Sequence, residues 1–134
     1  MLNHSLLGNL KVIAVDGFEE EYNKIVQSKP NCEKINKKLL LLLSFICMDN
    51  NPEVFCTHKQ IEKLSGASGL YVIKIKVGCN IRVLFSLERD GTILLHSFQE
   101  KAGKSNTDYS SAIIIANNRL LKYKGGNNEN TRRR

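Results

Sequence analysis

Three cations in neighbouring β-forming runs are the residues most able to do chemistry. In the run from Tyr71 to Val77, Tyr71, Ile73, Ile75 and Val77 share one face, while Lys74 and Lys76 share the other. In the run from Ile81 to Leu87, Ile81, Val83, Phe85 and Leu87 share one face and Arg82 lies opposite. Pairing Val77 with Ile81 across the intervening turn predicts Lys76 directly opposite Arg82. Like charges set across a strand pair repel, so a sheet that gathers Lys74, Lys76 and Arg82 on one face presents them to an anion. The plainer alternatives are an Arg82 stem that covers the sheet with its head in water, and lysines that protect a sheet edge.

These cations belong to a meander between Leu70 and Lys104, its runs separated by Gly78-Cys79-Asn80 and by Asp90-Gly91. The third run carries His96, and its direction depends on the second hairpin. A two-residue Asp90-Gly91 loop pairs His96 with Phe85 and turns it into the core. A three-residue loop from Arg89 to Gly91 pairs it with Leu84 and turns it to the basic face. One residue of slip flips every side chain, and Ile93-Leu94-Leu95-His96-Ser97-Phe98 is too uniformly apolar to choose between them.

The remaining elements must position that sheet. Lys11 to Val15 reads as a first strand, apolar enough to be central or covered on both faces. Asp16 is placed to cap a helix from Phe18 to Ser28, whose first-turn acids suit the helix dipole. Pro30 ends it, and Asn31 caps a second helix to about Met48 with Ile35, Leu39, Leu42 and Ile46 as its buried stripe. Residues 53–69 read as a short helical turn around Lys59 to Leu64, then a Ser/Gly-rich loop. After the meander, a polar loop carries Lys101 and Lys104. Asn106, Thr107 or Asp108 then caps a last helix to about Tyr123, with Tyr109, Ala112, Ile113, Ala116, Leu120 and Tyr123 on its buried face. Ile114, Ile115 and Leu121 lie off that stripe, as extra core or a partner surface. Residues 125–134 read as a disordered basic tail.

The fold expected is therefore a single α+β domain over residues 1–124. A small antiparallel β-sheet, the N-terminal strand plus the three-stranded meander, carries two N-terminal helices on one face and is joined by a C-terminal helix. The other face is the basic one.

Charge is distributed unevenly. The chain of 134 residues has a net charge of +7. Residues 1–70 hold eight Lys against eight Asp or Glu, and residues 71–134 hold twelve Lys or Arg against five, so the second half carries all of the excess. A localised basic surface points to nucleic acid or another polyanion; the alternative is a solvated basic surface plus a charged tail. The four cysteines form no CxxC pair and have no histidine at zinc-ligand spacing, so no metal and no cofactor are expected. The start lacks the basic and apolar regions of a signal peptide, and no apolar run approaches the ~20 residues that span a bilayer. A cytoplasmic protein with free thiols and no membrane partner is expected.

Gly69-Leu70-Tyr71, Arg82, Leu94-Leu95-His96, Phe98, Lys101 and Lys104-Ser105 together resemble the RelE/ParE toxin superfamily of bacterial toxin–antitoxin systems. The likeness is strongest to its HigB-like, phage-derived branch. Arg119-Leu120 and Tyr123-Lys124 are similar to that branch's closing motif. The resemblance covers Gly69 to Lys124, and the earlier part only in its order of elements. It implies a type II toxin that enters the ribosomal A site and cuts mRNA, blocked by a cognate antitoxin and binding operator DNA only in complex with it. It also implies site residues: Arg82 as phosphate clamp, His96 as acid or base, and Lys104 and Tyr123 completing the catalytic set. Lys74, Lys76 and Lys101 would bind the RNA backbone. Val72, Lys74, Glu100 and Asn106 depart from the family pattern, and Glu100 lowers the positive potential beside Lys101.

Three other readings remain beside the endoribonuclease. One is a ParE-like toxin that binds gyrase without cutting RNA. Another is a catalytically silent relative that only binds antitoxin or represses with it, which Glu100 favours. The last is a small basic RNA-binding domain, against which stands the small number of aromatics on the basic face. An Arg82 that only clamps phosphate predicts that Arg82→Ala abolishes cleavage and leaves stability nearly unchanged.

Overall fold

The computed structural model describes residues 11–100 and 109–132, with side chains up to Gly125. Its elements are β1 (Val12–Ala14), α1 (Phe18–Val26), α2 (Cys32–Asp49), α3 (Pro52–Phe55), β2 (Ile61–Lys63), β3 (Tyr71–Lys76), β4 (Asn80–Glu88), β5 (Gly91–Gln99) and α4 (Ser110–Arg132). The protein is α+β, as its sequence implies, but the sheet is five-stranded and mixed, in the order β1-β5-β4-β3-β2. β1 runs parallel to β5 at one edge and is not central. Its apolar residues are only half-buried, so its composition reflects one neighbouring strand and not two covered faces. At the other edge, Ile61–Lys63 is a strand paired with β3, where a helical turn was expected. Backbone bonding that includes Lys74 N–H to Gln60 C=O holds that segment extended.

The meander itself forms as read, with a corrected register. Lys76 pairs with Asn80 across a Val77-Gly78-Cys79 loop, so the residue opposite Arg82 is Lys74, not Lys76. The second hairpin follows neither expected loop. Glu88 pairs with Gly91 around Arg89-Asp90, and a bulge beside Leu84 and Phe85 then shifts the register so that His96 faces Leu84. Gly91 has φ +131°, and a Cβ there would lie 2.3 Å from the Lys11 carbonyl, so only glycine lets β1 come this close.

Phe18, Tyr22 and Val26 of α1 and Ile35, Leu39, Leu42, Leu43 and Ile46 of α2 are buried with Tyr71, Ile73, Ile75, Ile81, Val83 and Phe85 in one core. Asn31 sits at the α2 N-cap as read, without a side-chain bond. α1 is preceded not by a capping Asp16 but by Gly17, in the left-handed region at φ 92°. The second sheet face is not open. Val72, Leu84 and Ile93 on it are fully buried, and α4 packs over β5 and β4 with Ala112 and Ala116 inward. Tyr123 donates to the Asp90 carboxylate at 2.8 Å and Lys124 meets Glu88 at 3.4 Å, pinning α4 to the β4–β5 turn. α4 continues past the expected end near Tyr123 to Arg132, through the segment read as tail.

Candidate functional site

On the second face, the candidate side chains gather at the end away from the β4–β5 turn. There Lys74, Arg82, His96 and Phe98 share a face through the pairs Lys74–Arg82, Arg82–Phe98 and Leu84–His96. The basic surface expected there is largely neutralised. Lys74 Nζ donates to Glu62 of β2 at 2.6 Å, and Arg82 Nη2 is ion-paired with Glu100. Lys76 is exposed at the end of β3. Lys101 and Lys104, and the loop that would carry them, lie outside the described residues.

Arg82 is 7% exposed and Glu100 9%, so this pair is out of water. Glu100 takes only Nη2 of the guanidinium. The Nε and Nη1 donors are buried and have no hydrogen-bond partner among the described residues. A guanidinium carries five N–H donors in a fixed fork that fits two oxygens of a phosphate or carboxylate. Leaving buried donors unpaired costs on the order of 1–3 kcal/mol for each group, and a fork with such donors can take an anion besides Glu100. Burial also revises one expectation. Arg82→Ala alone would remove one side of the buried ion pair with Glu100 and destabilise the fold by ~3–5 kcal/mol.

Three elements of the chain, α1, β5 and α4, meet at His96. Its Nδ1 lies 3.0 and 3.1 Å from the two Glu21 carboxylate oxygens. The same carboxylate accepts from the Ser97 backbone N–H at 2.8 Å and from Arg119 Nη1 at 3.0 Å and Nη2 at 3.2 Å. Arg119 Nη1 also donates to the Leu95 carbonyl at 2.9 Å. Since β1 pairs only as far as Leu94, these two side chains continue the β5 ladder where β1 stops. Burial resists ionisation of Glu21, but hydrogen bonds from His96, Arg119 and Ser97 overcome it and hold the carboxyl at about 2. Glu21 is therefore an anion that fixes His96 by Nδ1.

His96 therefore joins the face of Arg82, as a diagonal neighbour on the adjacent strand, for which Cβ separations run roughly 7–8 Å. Phe98 stacks on His96 at 5.8 Å and meets the Tyr109 ring edge-on at 6.0 Å. Burial pushes the Tyr109 hydroxyl pKa up; Arg82 opposes the shift, and Glu62 and Glu100 add to it. Tyr109, which sequence periodicity assigns only to helix packing, thus belongs to the surroundings of Arg82. Tyr123 does not. Its bond to Asp90 sets it at the opposite end of the sheet, with most of β4 between it and Arg82.

Among the described residues no group of His, Cys, Asp and Glu is arranged to hold a metal, and the four cysteines are free. No helix among them is long and apolar enough to cross a membrane. Compared with known proteins, the chain matches no family model and no curated sequence.

Proposed function

We propose that this chain is an endoribonuclease of the RelE/ParE toxin kind, nearest the HigB-like branch, that cuts ribosome-bound mRNA by acid/base chemistry and is held inactive by a cognate antitoxin. The observation that carries this reading is the Arg82 guanidinium, buried with two donor nitrogens unpartnered beside a histidine fixed by a carboxylate. In such a cleavage the ribose 2′-OH attacks the adjacent phosphorus and its proton passes to a base. The bond from phosphorus to the 5′-oxygen breaks, leaving a 2′,3′-cyclic phosphate and a 5′-OH. Arg82 would hold the non-bridging oxygens as charge grows on the phosphorane. His96, with Nδ1 anchored on Glu21, would exchange the proton at Nε2. Lys76, with Lys101 and Lys104 as the family resemblance implies, would hold the flanking backbone. Tyr123 leaves the catalytic set, and Tyr109 takes its place as the phenol nearest the phosphate.

A catalytically silent, antitoxin-binding relative is favoured by one feature, the occupation of Arg82 Nη2 by Glu100. Inducible expression in bacteria with mapping of message 5′ ends separates the two. Wild type is expected to arrest growth and give new in-frame cuts, and the double variant Arg82→Met/Glu100→Gln, which removes both charges together, is expected to give neither. Arrest without cuts would favour a gyrase-directed toxin. No arrest from soluble wild type would leave the silent relative as the better account.

A further inference from the structure

The β3–β4 loop, Val77-Gly78-Cys79, lies against the N-terminus of α2. Gly78 has φ +72°, and a Cβ there would stand 2.7 Å from Asn31 Nδ2, so the loop rests on the Asn31 carboxamide. That side chain makes no capping bond to the helix it precedes. Each partner in this contact is followed in the chain by a cysteine, Cys32 after Asn31 and Cys79 after Gly78. Both thiols are half-buried against the core, and both act on one group, the Tyr22 hydroxyl. Burial pushes the pKa of that hydroxyl up, and the negative charge that Cys32 and Cys79 take as thiolates adds to it. Tyr22 in turn donates to Asn36 Oδ1 at 2.8 Å, and Asn36 Nδ2 donates to Cys32 Sγ at 3.7 Å.

We infer that Cys32 and Cys79 are a redox pair, which a low-molecular-weight disulfide of the glutathione type converts to an intramolecular disulfide joining α2 to the β3–β4 loop. The inference does not depend on the reading of Arg82. Cys79 lines an open cavity of about 370 Å³ with Lys76, so it is the thiol that a disulfide from solvent meets first. Its thiolate attacks one sulfur of that disulfide, whose S–S bond breaks and releases one thiolate. The Cys32 thiolate then attacks the Cys79 sulfur of the mixed disulfide and expels the second. Two protein thiols lose two electrons and their protons, and the small disulfide takes up both as two thiols. The bond from Asn36 to Cys32 Sγ at 3.7 Å and that from Cys79 Sγ to the Val77 carbonyl at 3.6 Å are long. Sulfur is a weak partner in each, so they oppose little rotation of either side chain. The other two cysteines are placed elsewhere. Cys47 lies near the far end of α2, its Sγ 3.8 Å from Thr92 Oγ1, and Cys56 is near Tyr71, at the end of β3 away from the loop. The link would hold the loop between the two strands that carry Lys74 and Arg82.

Disulfide mapping on the full chain tests this. The reduced protein is equilibrated with a buffer of glutathione and glutathione disulfide, quenched by alkylation and digested without reductant for mass spectrometry. The expected product is a monomer that has lost two of its four thiols, with the Cys32 and Cys79 peptides linked, and that regains both in dithiothreitol. Cys47→Ser/Cys56→Ser should oxidise as wild type does, while Cys32→Ser should stop at a glutathione adduct on Cys79. The oxidised wild type should unfold at a higher urea concentration than the reduced, since a link that fits the native fold constrains the unfolded chain. Linkage through Cys47 or Cys56, links between molecules, or separate glutathione adducts on Cys32 and Cys79 would overturn the pair. So would a lower urea midpoint after oxidation, because the link would then form only by distorting the fold.

Discussion

Two charge clusters on one sheet differ in how completely they are closed. Around Glu21, a carboxylate receives hydrogen bonds from a histidine, an arginine and a backbone N–H, and Arg119 spends its remaining reach on a carbonyl. Around Arg82, one nitrogen has a partner and two have none among the described residues. Both arginines sit beside carboxylates, and the sequence shows neither pairing. A cluster whose carboxylate is met by a histidine, an arginine and a backbone N–H holds a strand edge and fixes a ring. A buried one with donors left over keeps capacity for a ligand, because folding alone does not retain an unpaired donor that costs free energy.

The strongest way to break this contrast is to remove the open cluster. Arg82→Met/Glu100→Gln should leave unfolding stability within about 1–2 kcal/mol of wild type, since an apolar replacement of a buried pair is often neutral. Cleavage should fall by ~10²–10³, the loss expected for a donor to a charged transition state. Urea denaturation and mapping of message ends would check the two halves. An equal loss of stability in this variant would make Arg82 structural. Opening the closed cluster should do the reverse: Glu21→Ala would leave Arg119, His96 and the Ser97 N–H without their acceptor and cost ~2–4 kcal/mol in the same denaturation assay.

Acid unfolding sharpens the comparison. The Glu21 carboxyl is held at about 2 in the fold, well below its ordinary value of 4.5. Its contribution to stability is thus complete above about pH 4.5 and lost as pH falls toward about 2. Glu21→Gln should flatten the acid limb of a stability–pH curve across that window and change little near neutrality beyond a uniform offset. A smaller effect is expected at Gly17, where φ is +92° and a Cβ would stand 3.4 Å from Arg119 Nη2. Gly17→Ala should cost ~1–2 kcal/mol through left-handed strain and show as a lower melting temperature. Least of all, Tyr123→Phe removes one exposed hydrogen bond to Asp90. It should cost under about 1 kcal/mol and leave cleavage unchanged.

Local pattern was legible where local physics decides. The helices at Phe18–Val26 and Cys32–Asp49 follow from apolar spacing, acids in the first turn, and the stops at Pro30 and Pro52. The alternation in β3 and β4 gave the correct shared face for Lys74 and Arg82. What failed needed partners distant in the chain. Ile61-Glu62-Lys63 is too short to show a period and is extended because β3 lies beside it. His96 was ambiguous because a bulge, which leaves no composition mark in an apolar run, resets the register midway along β5. Glu21 reads as one of three first-turn acids. Nothing nearby marks it as the partner of His96, which lies 75 residues further on. Arg82 was singled out by its neighbours, but its burial against Glu100 depends on a pairing between two strands. From sequence Glu100 is an acid that lowers local potential and favours a silent relative, with no sign of its pairing to Arg82.

The brevity of β1 has a further consequence. A strand edge with unpaired N–H and C=O groups is a template for another chain, and sheets joined edge to edge grow into aggregates. Past Leu94, β5 would offer such a template had Glu21 not taken the Ser97 N–H and Arg119 the Leu95 carbonyl. Two side chains from different helices thus stand in for a missing length of strand. They quench the edge with charges that an incoming backbone would have to displace, so this molecule's colloidal behaviour is guarded at the same residues that orient His96.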